Sequence, residues 1–305
     1  MQLFYEGKDI TGHVDIVKCI HRDVSCGRSD CLELELDHAA SWYSWEPQQD
    51  DEIRVICNGY DTGTLYLNTV LPEKGHYSIL ATSIPSAAQH RTHAGFENKT
   101  LDELFAACAA ECAMGYALYG PDSGLVYPYL MRNHEGCAAF LNRLMEWEGA
   151  ALKAVNGRLV GIGIPYAQTL DAKQTIQITA NQDGVRHIRR NGVKLSSVTI
   201  RTPFAQASAV DTDAVQGDAA VFTHVPATDN VTAGRWARGL LLHHNRRAET
   251  LRLQSELNAG MTALARIDIE SATDMRGNWL VDEVEHDMIE NRTTTQLLRC
   301  LTTIG

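Results

Sequence analysis

Apolar and polar positions alternate with a period of two through much of residues 1–85. Leu32, Leu34 and Leu36 alternate with Glu33, Glu35 and Asp37, and Ile53, Val55 and Cys57 alternate with Arg54, Ile56 and Asn58. That period puts one set of side chains on each face of a strand, an arrangement that a helix cannot produce. Asp61-Thr62-Gly63 separates the second run from Leu65-Tyr66-Leu67. Short strands joined by turns are predicted here, in a small barrel or sandwich whose Glu and Asp row faces water. Trp42 and Trp45, beside Pro47, fall in a connection and are expected to act as lids on the core.

The pattern changes at Ser83-Ile84-Pro85-Ser86. Thr100 and Glu103 form a capping box, and Leu101, Leu104, Phe105, Cys108, Ala109 and Cys112 follow at helical spacing up to Gly115. A second helix is predicted from an Asn133 N-cap, with Cys137, Phe140, Leu141, Leu144 and Met145 as its stripe and Gly149 as its stop. Ala150–Val155 and Arg158–Ile162 pair as a hairpin across the Asn156-Gly157 turn. Residues 86–164 therefore read as an α+β insert with two helices.

After Pro165 the alternation returns. Ile176 with Ile178 and Val198 with Ile200 mark strands, and Asp183-Gly184 and Asn191-Gly192 mark turns. The polar stretch through Asp211, Asp213, Gln216, Gly217 and Asp218 is expected to be a flexible loop or a partner-facing arm. One helix, capped by Thr232, presents Ala233, Trp236, Ala237, Leu240, Leu241, His244 and Ala248 on one face. Leu251, Leu253 and Leu257, then Ile267 and Ile269, imply two further strands. Residues 277–301 close the chain as a hairpin, in which Leu280, Val284 and Met288 alternate with Val281, Glu283, Glu285 and Asp287. The predicted fold class is α+β, mainly β: two tube-like β-barrel modules at 1–85 and 165–305, the second containing one helix, with the insert at 86–164 between them.

Composition narrows the function. A chain of 305 residues, 44% hydrophobic and 21% charged, is that of a folded protein with full cores. A net charge of -11, with no basic run longer than His243-His244-Asn245-Arg246-Arg247, argues against nucleic-acid recognition, which needs cations against the phosphates. The opening residues lack a basic segment followed by an apolar one, and no apolar run approaches a bilayer span, so cytoplasmic folding without membrane insertion is expected. The eight cysteines form no CxxC pair, which disfavours a zinc ribbon or a disulfide framework. Cys108 and Cys112, an i, i+4 pair, are candidate metal ligands together with His90 and His93, but the apolar neighbours of the pair favour a core role.

Three regions, one near the start, one in the insert and one at the end, resemble the late control D family of contractile-tail baseplate hubs, which is related to the first half of VgrG spikes. Asp9-Ile10-Thr11 followed by Leu32–Asp37 is similar to the family's opening hairpin, and Lys99–Leu104 to its first helix. Arg132–Ala150, with Phe140-Leu141-Asn142-Arg143-Leu144 and Glu148-Gly149-Ala150, is similar to its second helix. Trp279, Val281, Val284, His286 and Thr293–Thr295 stand where the family's closing hairpin carries an aromatic, two valines, a histidine and a Thr-rich strand. Two places depart from the pattern: Asn133 and His134 follow Arg132 where a Gln is common, and Thr64–Asn68 replaces a Phe-x-Gly-x-Ile strand. The resemblance implies a homotrimer whose two modules per subunit make a six-module ring, adapting a sixfold tail tube or tube initiator to a threefold central spike on a separate chain. Baseplate wedge proteins and the tape measure protein are the further partners it implies, in a phage tail or tailocin. The acidic balance fits a channel wall that does not retain DNA.

Other readings compete with this one. Glu135, Glu146 and Glu148 are candidate carboxylates for peptidoglycan hydrolysis, against the plainer reading of a solvated helix face. Tyr116, Tyr119, Tyr127, Tyr129 and Trp147 are candidates for stacking on wall sugars, against core or interface roles. His243, His244 and His286 are read as structural histidines rather than ligands or bases. No catalytic, cofactor-binding or metal-binding residue is assigned, and no cofactor is expected.

Overall fold

The computed structural model describes residues 1–37, 47–73, 75–179 and 182–304, so Trp42 and Trp45 lie outside the described residues. The first part of the chain forms β1 (Gln2–Tyr5), β2 (Lys8–Asp9), β3 (Asp15–Val24), β4 (Cys31–Asp37), β5 (Glu52–Cys57), β6 (Tyr60–Asp61), β7 (Leu65–Glu73) and β8 (His76–Thr82). The alternation read in the sequence is the alternation of burial. Leu32, Leu34 and Leu36 of β4 are buried, while Glu33 and Glu35 face outward into ion pairs and solvent.

Next come β9 (Thr92–Thr100), α1 (Leu101–Glu111), β10 (Gly115–Tyr119), β11 (Val126–Glu135), α2 (Cys137–Trp147), β12 (Ala150–Val155) and β13 (Arg158–Gly163). The capping box is present: Glu103 N donates to Thr100 Oγ1 at 3.1 Å, and Thr100 N donates to Glu103 Oε2 at 2.8 Å. Asn156 and Gly157 both take positive φ, as the tight turn between β12 and β13 requires. Three details differ from expectation. Helix α1 already ends at Cys112, with Ala113 turning left-handed, and Gly115 opens a strand instead. Asn133 lies in β11, and α2 is capped by Gly136, where a side chain would collide with the Ala88 carbonyl and the Gln89 backbone. Strands β9 and β11 pair as a two-stranded ribbon that the polar sequence of β9 did not announce.

The remainder comprises α3 (Ile164–Thr169), β14 (Gln174–Ile178), β15 (Val185–Arg189), β16 (Leu195–Arg201), β17 (Gln206–Val210), β18 (Asp218–Phe222), α4 (Asn230–Asn245), β19 (Glu249–Glu256), β20 (Arg266–Ser271), β21 (Gly277–Asp287) and β22 (Arg292–Arg299). Pro165 lies in the first turn of the short α3 rather than before a strand, where its missing N–H is harmless. The N-cap of α4 is Asp229, which accepts from Thr232 N at 2.8 Å, so Thr232 sits one turn inside. The polar stretch expected to be a flexible loop or a partner-facing arm is anchored at its start: Asp211 is buried, bridges Ile304 and accepts from Asn245 at 2.7 Å and Thr303 at 2.7 Å.

One 14-stranded sheet runs β15-β19-β22-β21-β3-β4-β8-β7-β5-β1-β2, with β20 on β21, β14 on β20 and β6 on β5. Among the described residues this path does not close on itself. It contains one strand arrangement twice. The order β3-β4-β8-β7-β5-β1 in the first part is matched by β15-β19-β22-β21-β20-β14 in the last part, element for element in chain order. The registers match as well. Ile53 faces Leu65 and Leu67 faces Ala81, as Ile267 faces Trp279 and Val281 faces Leu297, and a bulge follows both Leu67 and Val281. The copies differ at their first strand, since β1 is antiparallel to β5 while β14 is parallel to β20. They differ also in what they carry. The two-helix insert follows β8, whereas β16, β17, β18 and α4 are inserted between β15 and β19.

Each copy encloses its own apolar cluster, one around Leu3, Leu34, Val55 and Leu67, the other around Leu251, Ile267, Trp279 and Val281. A third cluster joins the insert to the β16–β18 sheet and α4 through Phe140, Trp147 and Trp236. Gly239 of α4 lies against the backbone of Trp147 and Gly149 at the end of α2. Gly239→Ala is expected to lower stability by about 1–3 kcal/mol, because its methyl group meets main chain that cannot swing aside. Gly234→Ala, whose new methyl group finds Ala207 at an ordinary 3.6 Å, should instead gain up to about 1 kcal/mol of helix propensity. Urea unfolding of the two variants beside the wild type measures both.

Candidate assembly interface

The two sheet copies meet where β21 pairs antiparallel with β3, from Glu283 opposite Val24 to Asp287 opposite Ile20. Outward from this seam Arg22 faces Glu285 and donates to it at 2.9 Å; Arg22 also pairs with Glu33, to which Lys18 donates at 2.8 Å. Arg28 reaches Glu283 at 2.6 Å. These partly exposed pairs favour the register more than they add stability.

Inward from the seam the polar groups are buried. Lys153 of β12 inserts between Asp23 of β3 and Asp30, 2.7 Å from the latter, and Asp23 also accepts from Ala263 N at 2.9 Å. Two carboxyls thus share one cation. Lys153 and Asp23 hold their charges, while burial, with the Asp23 charge beside it, pushes the Asp30 carboxyl up to about 6. On the other side Arg246, just beyond α4, donates to Asp282 at 2.8 Å and to Ser25 at 3.2 Å, and Ser25 donates to Asp282 at 2.6 Å. Parts of the chain far apart in sequence are therefore pinned to the same pair of strands.

The histidines of the seam are buried too. His286 Nε2 donates to the Met261 carbonyl at 3.0 Å, and its Nδ1 lies 3.0 Å from the Thr293 hydroxyl. His21 Nδ1 and the Tyr60 hydroxyl share a 2.6 Å hydrogen bond, and the Tyr60 ring packs on His286 with centroids 3.8 Å apart. Burial holds His21 down to about 3 and His286 down to about 4, so both are neutral. His243 is the third of this kind, donating to the Ala150 carbonyl at 2.9 Å and lowered to about 3 by burial, with the Arg246 charge adding to the effect. The helix face read from the sequence is shifted here, because His243 is buried whereas His244 is exposed and bonds Val193 O at 2.8 Å.

The remaining candidates scatter. Glu135 ends β11 and pairs with Arg143, while Glu146 is exposed on α2. Glu148 is not on a solvated face. Its buried carboxylate accepts from Arg235 at 2.6 Å, from Trp236 Nε1 at 2.5 Å and from the Tyr127 hydroxyl at 2.9 Å, joining α2 to α4. Glu135 and Glu148 thus bind different partners, and Glu146 faces solvent. Tyr127 and Trp147 lie in the core, whereas Tyr119 and Tyr129 are exposed and Tyr116 donates to Asp102 at 3.1 Å. Cys108 and Cys112 are buried beside Cys137, and hydrogen bonds from both, with the Arg132 guanidinium 2.7 Å from its sulfur, hold the Cys137 thiol far below the ordinary range. Arg132 itself lies in β11, ahead of α2, and pairs with Glu111. Among the described residues no group of three or more His, Cys, Asp or Glu side chains is placed to hold a metal ion, and no helix is long and apolar enough to cross a membrane. The buried roles of Lys153, Glu148 and Arg246 left no local signal in the sequence, since each depends on a partner far away in the chain.

No family model and no curated protein matches the sequence. Solved structures do match. A 43 kDa tail protein of prophage MuSo2 from Shewanella oneidensis is 14% identical over 98% of this chain and 97% of its own, with a TM-score of 0.74. A tail protein from Neisseria meningitidis is 11% identical over 98% of this chain and 95% of its own, with a TM-score of 0.76. An Escherichia coli type VI secretion component, described as structurally similar to bacteriophage T4 tail proteins, is 11% identical over 99% of this chain and 78% of its own, with a TM-score of 0.60. The chain has the fold of these proteins across nearly its whole length.

The seam's chemistry sets two expectations. Lys153→Met leaves two buried carboxyls without their cation and should lower stability by about 3–5 kcal/mol at pH 7, read by chemical unfolding. The second concerns pH. An unfolded chain protonates His21, His243 and His286 near pH 6.5, whereas the folded chain does not until about pH 3 to 4. Their contribution is therefore full above pH 6.5 and is lost as the pH falls. Asp30, raised to about 6, opposes roughly one of them below that pH, because the folded state takes up its proton first. Unfolding free energy should thus drop between pH 6.5 and 5 by on the order of 3 kcal/mol per pH unit, and a His286→Gln variant should show a shallower fall.

Proposed function

We propose that this chain is a structural subunit of a tail hub in a contractile phage tail, a tailocin or a related injection machine, three copies closing a ring of six alike modules. The observation that carries this reading is the doubled strand order, in which two parts of one polypeptide share neighbours, registers and bulge positions. Each part is then one tube-like barrel module, with the insert at 86–164 between them. Three chains supply six modules, which matches a sixfold tail tube or its initiator on one face of the ring. On the other face only threefold symmetry holds, because the insert and the β16–β18 sheet with α4 are unlike each other, and a threefold spike fits there. Wedge proteins would meet the outer side, and the tape measure protein the channel.

The similarity to tail proteins and to a secretion component supports this placement, as does the resemblance of the closing hairpin to the late control D hubs. The seam residues serve cohesion, and the reading assigns no catalysis to them.

Native mass spectrometry of the purified chain tests the reading. Three copies per particle at micromolar concentration is the expected result; a lone subunit at every concentration, or release of muropeptides from purified cell wall, would refute it.

A further inference from the structure

The doubled arrangement also indicates how one copy would join the next, an inference that rests on the ring reading above. Within the chain the seam uses a particular half of a particular strand. The first half of β21 pairs with β20, and its second half, past the bulge, leaves β20 and pairs with β3. Strand β7 is the counterpart of β21. Its first half pairs with β5 through Tyr66 opposite Glu52 and Leu65 opposite Ile53, and past its own bulge, among the described strands, that side has no neighbour. The counterpart of β3 is β15, which ends the sheet with a free outer edge among the described strands. The monomer therefore shows two unmatched edges, each corresponding to one side of the seam that it has already made.

We infer that β7 of one copy pairs antiparallel with β15 of the next, repeating between subunits the β21 to β3 pairing within each subunit. The registers fix which residues would meet. Leu67 faces Ala81 as Val281 faces Leu297, which makes Leu71 the counterpart of Glu285. His187 faces Leu251 as His21 faces Leu32, which makes Ile188 the counterpart of Arg22. Inside the chain, Glu285 and Arg22 stand opposite each other as an ion pair. Between copies, Leu71 would stand opposite Ile188.

The two sides thus change together, from a carboxylate against a guanidinium to an aliphatic side chain against another. Leu71 is 54% exposed in the single chain, and a leucine left open on a strand edge is a liability unless something covers it. Cross-strand aliphatic and ionic pairs both stabilise antiparallel ladders, whereas a leucine opposite a charge does not. Pro72 stands in the place of His286, so on this edge it offers a carbonyl but no N–H. The ladder between copies would be shorter by that donor, and the proline also discourages pairing with an unrelated strand. In a ring of three every such edge is used, with none left to recruit a further chain.

Three variants of the full chain test the inference by sedimentation equilibrium, with circular dichroism as the check on folding. Leu71→Glu, at an exposed position, and Ile188→Arg should each raise the dissociation constant of the oligomer about tenfold or more. The double variant Leu71→Glu with Ile188→Arg writes the internal ion pair into the seam between copies, and should recover most of the wild-type affinity. Wild-type affinity in a folded Leu71→Glu variant overturns the pairing, as does a double variant no stronger than the weaker single one. A trimer indifferent to these changes would reject the seam and leave the ring standing. A wild type that never associates would reject both, whereas an oligomer of another copy number that Leu71→Glu still breaks would reject the ring alone.

Discussion

The backbone pairing of β21 with β3 ties the last part of the chain to the first, and two clusters of buried charge that join separate parts of the molecule flank it. Asp23 and Ser25 lie on or just beyond β3, Asp282 lies on β21, Lys153 arrives from the insert and Arg246 from the end of α4. A buried ion pair is a poor source of net stability, because desolvation offsets most of the attraction. It is a strong source of geometry, since any other arrangement leaves a charge in the interior without a partner. Lys153 and Arg246 in this way hold the insert and the end of α4 against the two strands of the seam.

Legibility in the sequence follows range. Strands with one wet face, such as β4, declare themselves through Leu32, Leu34 and Leu36, and the capping box of α1 and the turn at Asn156-Gly157 are signals spanning only a few residues. The mainly β, α+β class was readable from these alone. Strand β9 was not, because it lies in a two-stranded ribbon with mostly exposed side chains and has no apolar row to betray it. The caps of α2 and α4 are hidden in the sequence for a related reason. Asn133 and Thr232 are good cap residues by type, but the backbone becomes helical at a point fixed by tertiary packing, where Gly136 must pass close to Ala88 and Gln89 and Asp229 is free to accept from Thr232.

The seam residues illustrate the same limit from the functional side. His286 stands out in the sequence of the closing hairpin, and in the structure it is buried and neutral, bonded to Thr293 and Met261. His21, its neighbour across the ladder, carries no such mark, because a histidine in an alternating strand looks the same whether it faces water or the interior. Glu148 looked like one of three carboxylates on a wet helix; only the arrival of Arg235, Trp236 and Tyr127 makes it a buried tie between α2 and α4. The doubling of the sheet was hidden for a further reason. Leu67 corresponds to Val281, Ala81 to Leu297 and Ile79 to Thr295, so what repeats is the pattern of inward positions and bulges rather than the residues.

That separation of pattern from identity also accounts for tail proteins sharing the whole fold at 11–14% identity. A strand requires only that alternate positions be apolar, and a bulge requires one extra residue at a fixed place, so a large number of sequences satisfy both. The seam is less forgiving, because its two strands must agree residue by residue across the ladder. In the proposed ring this tolerance and this strictness are divided between different surfaces. Module interiors are free to drift as long as they stay apolar, while each edge is bound to its opposite edge, one set within the chain and one set between copies. The appendages then break the sixfold repeat, because the insert and the β16–β18 sheet with α4 are unlike each other; they pack together through Trp147, Trp236 and Gly239 and reach the β21 to β3 ladder through Lys153 and Arg246. A single polypeptide can in this way present alike modules to one neighbour and unlike appendages to another.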